Sequence, residues 1–131
     1  MSDIAHTLGR ALLSVIFIVS GYGKLTTIAA TTAYLTRVGV PSPQVMVYVL
    51  ALFELIGGLM ILVGFKTRWA ALALFVFTGI ALYLGHKFWA APPEQYMNQF
   101  NHALKNVAIM GGFLLLAAHG GGRFSVDGRS G

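Results

Sequence analysis

Residues 51–62 read ALFELIGGLMIL, a run in which Glu54 is the one side chain that is neither apolar nor glycine. A charge near a bilayer centre costs about 2.5–3.5 kcal/mol on insertion scales, so such a residue turns into a helix bundle and finds a partner. The run lies inside a longer apolar block, 43–64, and about 20 apolar residues suffice to cross a membrane as one helix. Three further blocks follow the same pattern: 7–23, 69–84 and 103–118. The last two are shorter, but Phe88, Trp89, Tyr96 and Phe100 extend them into the interface. A spanning segment must satisfy its own backbone polar groups, which makes these blocks helices. The alternation of apolar and polar residues that marks a membrane barrel is absent.

Composition agrees. The chain of 131 residues is 56% hydrophobic and 10% charged, with a mean hydropathy of +0.74. A soluble domain carries roughly 25% charged residues, and one so poor in charge could not cover a water-facing surface. The expected fold is all-α: a single domain over 1–131, with transmembrane helices near 7–24, 43–64, 68–88 and 93–119 and a polar tail at 120–131. Block one has Arg10 as a positive flank, but no clean small-x-small cleavage site follows it, so it is expected to stay as a signal-anchor helix. Loop one, 25–42, is the longest. Its 26–37 portion carries Ile28, Tyr34 and Leu35 and is expected to form a short interfacial helix ended by Gly39 and Pro41.

Four spans put both termini on one side of the membrane. That side, with loop two, carries Arg10, Lys66, Arg68, Arg123 and Arg129; the other carries Lys24, Arg37, Lys87 and Lys105. The small excess places both termini in the cytoplasm. The net charge of +5 is scattered, without the basic stripe that nucleic acid requires. Lipid headgroups are the natural contacts of such basic ends. With no cysteine, thiolate catalysis and iron–sulfur ligation by this chain are excluded.

The remaining polar residues fall on helix faces. Arg10, Ser14, Phe17, Gly21 and Lys24 share one face of helix one, Glu54, Gly58 and Ile61 one face of helix two. His102, Lys105, Asn106, Ile109 and Phe113 share a broad face of helix four. Glu54 is expected to pair with Arg10 or Lys105, whose long side chains can bridge a mismatch in depth. Small residues on these faces (Gly21, Gly57, Gly58, Gly111, Gly112) allow close helix approach. The bland reading of the polar set is a network that fixes helix pairing; the sharper one is a ligand or proton site. His86 and His102 flank loop three and are the only metal or haem candidates. Two histidines without ligand spacing are more often interfacial, so no metal site is expected. The aromatics near Trp69, Trp89, Tyr96 and Phe100 suit interface anchoring, and Phe88, Trp89 and Tyr96 could alternatively flank a quinone ring.

Four segments together resemble the DoxX family of small bacterial membrane proteins: RALLSVIFIVSGYGKL (10–25), ELIGGLMILVGFKTRWAAL (54–72), FNHALKNVAIMGGFLLLA (100–117) and GGGRFSVD (120–127). The resemblance implies a four-helix bundle in the bacterial inner membrane. It also implies a loose link to redox chemistry, because the family is named after a subunit of a thiosulfate:quinone oxidoreductase. The residues matching the family's polar pattern are Arg10, Lys24, Glu54, His102, Lys105 and Asn106. The expected function is an accessory or quinone-interacting subunit of a redox-linked complex. Its expected partners are the bilayer, a redox partner protein and, as a homo-oligomer, further copies of itself. The alternative is a non-catalytic scaffold or small-solute carrier.

Overall fold

A computed structural model describes residues 2–130, with side chains described for 2–128. Met1, Gly131 and the Arg129 side chain that entered the charge count lie outside the described residues. The elements are α1 (Ser2–Thr26), α2 (Ile28–Arg37), α3 (Pro43–Val63), α4 (Thr67–Gly85), a single 3-10 turn at Phe88–Ala90, α5 (Pro93–His119) and α6 (Val126–Ser130). Four segments are long and apolar enough to span a membrane: Ser2–Thr26, Pro43–Val63, Thr67–Ala90 and Pro93–His119.

Local chemistry explains the ends. Proline stands in the first turn of both α3 and α5, where its missing N–H is no loss, and Glu94 complements the dipole of α5. Gly64 stops α3 at φ 73°, in the left-handed region that closes helices, and its N–H bonds to the Met60 carbonyl at 2.8 Å. The interfacial helix starts at Ile28, later than expected, because α1 continues through Thr26. The third span's α-helix stops at Gly85 and leaves His86 and Lys87 in a connecting turn.

The bundle is turned inside out relative to a soluble one. On α1, Leu8, Leu12, Val15, Val19 and Tyr22 form an exposed stripe, while Arg10, Ser14, Phe17 and Gly21 are buried. Lipid takes the place of water outside, so apolar exposure carries no penalty there and buried small and polar residues supply the packing. The most extensive packings are α1 on α3 and α4 on α5. Gly21 explains the first: a β-carbon there would sit 2.7 Å from both the Ala51 carbonyl oxygen and the Leu55 nitrogen. The two pairs join through a core of Phe17, Ile61, Leu74, Phe113 and Leu116 with Ala70 and Ala71. Phe17 meets Phe113 at 5.4 Å and Phe77 at 6.4 Å between ring centroids.

Candidate functional site

Above that aromatic layer, on the side away from the termini, the two helix pairs leave a cavity of about 620 Å³. Small-molecule sites run from about 300 to 1,000 Å³. Phe17 and Phe77 line its floor, and Ile16, Leu50, Ile80 and Ile109 contribute to its walls. Helix α2 and the turn after it cover the cavity with Tyr34, Leu35, Val38 and Pro41. Leu35 is buried, and the Tyr34 hydroxyl abuts Gly85, where any β-carbon would collide with it. Burial also pushes the Tyr34 phenol above its ordinary pKa, against the opposing pull of nearby Arg37.

Polar groups enter this apolar space from three helices. Lys24 of α1 folds back one turn, donates to the Ser20 hydroxyl at 2.8 Å and reaches Glu54 Oε1 at 2.5 Å. The Glu54 side chain is 4% exposed, so its charge is removed from solvent and Lys24 is its neutralising partner. That overturns the expected pairing with Arg10 or Lys105. The close approach at Gly21 sets the register of α1 against α3, and this register brings the end of α1 level with the middle of α3. Lys24 therefore snorkels inward to the acid.

Asn106 of α5 lines the same cavity, is 6% exposed, and its side-chain amide has no hydrogen-bond partner among the described residues. The amide opens onto the cavity instead of being sealed in protein, so it is available to a ligand there. Lys105 also lines the cavity; its ammonium contacts His102 Nδ1 at 3.5 Å, and among the described residues it has no ion-paired carboxylate. His86 reaches the rim and shares a hydrogen bond of 3.0 Å with Gln99. Its ring stacks on that of His102 at 4.9 Å. His102 itself does not line the cavity, and among the described residues no group of three or more metal-ligating side chains forms.

Two other expectations are corrected. Arg10 takes no part in this site. It lies at the opposite end of α1, 3% exposed, and donates to the carbonyls of Gly121 (2.5 Å) and Phe124 (2.8 Å). The aromatics Phe88, Trp89, Tyr96 and Phe100 pack on one another as a cap beside the α4–α5 connection and do not line the cavity. The aromatic side chains that line it are Phe17, Phe77 and Tyr34; sequence reading placed Phe17 on the inward face of helix one and Tyr34 in the interfacial segment, and did not single out Phe77.

The tail is also more than a surface strand. Asp127 accepts from the backbone N–H groups of Lys66 (2.7 Å) and Thr67 (2.8 Å), capping α4 from a distant part of the chain. His6 contacts the Gly120 carbonyl at 2.8 Å, and Arg68 donates to that of Ala118 at 2.8 Å. Burial would raise the Asp127 carboxyl, but the hydrogen bonds from Thr67 and Lys66, with Arg10 nearby, outweigh it and hold it below the usual carboxylate range.

Fold and site together define a polytopic α-helical membrane protein with an internal, charge-lined cavity. The DoxX family profile matches residues 5–87, and the chain belongs to that family. It is 39% identical over 127 residues to the inner membrane protein YqjF of Escherichia coli K12, covering 97% of this chain and 92% of that one. It is 30% identical to the inner membrane protein YphA of the same organism, over 93% of this chain and 87% of that one. A shorter likeness, 36% over 66 residues, links half of this chain and 48% of the other to CatD of Bacillus subtilis, whose name proposes an oxidoreductase. No solved structure matches this chain significantly. This is an integral inner-membrane protein of the DoxX family.

Proposed function

We propose that the protein is the quinone-interacting membrane subunit of a redox-linked complex, and that the cavity holds the quinone headgroup. The observation that carries this is Asn106: a buried amide without a partner among the described residues, opening into a half-open, mostly apolar cavity beside a neutralised Lys24–Glu54 pair. A quinone ring is flat and apolar on its faces, with carbonyl oxygens at its edge. Phe17, Phe77 and Ile109 suit the faces, and the Asn106 amide and the Lys105 ammonium are donors for the oxygens. On this reading Glu54 exchanges a proton at an edge oxygen while Lys24 holds its charge. A bound quinone supplies the two-electron chemistry, and on this reading a partner protein carries the electron-transfer cofactor. The name of CatD, similar over half of this chain, supports this redox link. With both termini in the cytoplasm, the cavity opens toward the periplasmic side.

One observation favours a second reading. The Lys24–Glu54 pair ties α1 to α3, as a scaffold with no ligand would also need. Glu54→Gln separates the two. On the quinone reading the variant stays folded in lipid nanodiscs and loses at least tenfold of the quinone that co-purifies with the wild type. Loss of folded protein, with no quinone extractable from the wild type, supports the scaffold instead.

A further inference from the structure

The charged groups lining the cavity are Lys24, Glu54 and Lys105, with His86 and Tyr34 as the other titratable residues. Lys24 and Glu54 cancel. Lys105 does not: its contact is His102 at 3.5 Å, and among the described residues no carboxylate pairs with it. Tyr34, its phenol raised by burial, stays neutral and adds no negative charge. The cavity therefore carries one uncompensated positive charge beside an amide with nothing to bind. A neutral ring satisfies Asn106 and leaves the charge of Lys105 unmatched. A ring bearing one ionised hydroxyl matches both.

We infer that the site is selective for a mono-anionic ring, a hydroxyquinone with its hydroxyl ionised, over the neutral quinone of the same size, and that Lys105 determines this preference. This rests on the quinone site proposed above and names its substrate class more closely. Asn106 orients the ring through a neutral hydrogen bond, which does not distinguish charge; Lys105 supplies a charge-assisted one, roughly twice as strong. Lys105 is exposed at the edge of the cavity rather than sealed within it, so the preference is moderate, about tenfold or 1.4 kcal/mol.

The test uses the full chain in nanodiscs of neutral lipid at pH 7. Isothermal titration compares 2-hydroxy-1,4-naphthoquinone, which is ionised there, with neutral 2-methyl-1,4-naphthoquinone. The ratio of the two dissociation constants is measured for the wild type, Lys105→Gln and Lys105→Arg. Comparing ratios between variants cancels the different partitioning of the two compounds into lipid. The expected result is a ratio about tenfold more favourable to the anion in wild type than in Lys105→Gln, largely kept in Lys105→Arg, with the neutral compound weakened far less than the anion by Lys105→Gln. An unchanged ratio with both compounds bound overturns the charge preference and leaves the quinone site standing. Binding of neither compound above protein-free nanodiscs overturns the site and the preference together.

Discussion

At the scale of single residues, the decisive pair is Lys24 with Glu54. Breaking a buried pair strands a charge, at about 3–5 kcal/mol, whereas replacing both members with apolar residues of similar size is often neutral. The Lys24 side chain is 22% exposed, so the lower end applies. Lys24→Met is expected to lower stability by about 3 kcal/mol, read as a reduced thermal midpoint in detergent. The Lys24→Met, Glu54→Leu double variant should recover most of that loss while failing to bind quinone. Much of this was legible in the sequence. An acid in an apolar run announces a partner, and the i, i+3, i+4 pattern of Arg10, Ser14, Phe17, Gly21 and Lys24 marks the correct face. The choice of cation was not legible. It depends on the relative depth of two antiparallel helices, set by a backbone contact at Gly21; the glycine marks a close approach in the sequence but not which residues of α3 it meets. Gly21→Ala should therefore push α1 off α3 and cost about 1–3 kcal/mol, measured as a lowered melting temperature.

At the scale of elements, the unexpected feature is the closure of the terminal end by the tail. Arg10 and Asp127, one bonding to the tail and one belonging to it, hold 120–127 against the α3–α4 turn. One sign was available: α4 begins after Phe65 and Lys66, with no capping side chain of its own, so a cap had to come from elsewhere. Where it came from is a long-range fact that no window of sequence contains. Asp127→Asn is expected to lose about 1 kcal/mol, visible as faster amide exchange at Lys66 and Thr67. The sign of the pH effect follows from the lowered carboxyl. Its contribution is complete above the unfolded-state value and disappears as pH falls through the folded one, so acidification should loosen the tail in the same way. Arg10→Met should make the tail more susceptible to limited proteolysis and leave quinone binding unchanged, because Arg10 and the cavity lie at opposite ends of the bundle.

At the scale of the molecule, hydropathy and length alone specify four spanning helices and an interfacial segment. They do not specify that α1 packs on α3 and α4 on α5, nor that a cavity lined from both pairs lies beside the layer of Phe17, Phe77 and Phe113. The same arrangement gives the two ends different tasks. One is closed by hydrogen bonds to the backbone of the tail and of the α3–α4 turn; the other keeps a buried amide, and the Lys105 side chain at its edge, on a mostly apolar hollow. The most direct measurement of that division is photo-crosslinking of an azido-quinone to the protein in lipid nanodiscs, with the labelled residues mapped by mass spectrometry. Label concentrated at Leu50 and Glu54 on α3 and at Lys105, Asn106 and Ile109 on α5, and lost in Asn106→Leu, is the predicted result. Label spread along the lipid-facing stripe of Leu12, Val15 and Val19, unchanged by Asn106→Leu, would contradict it.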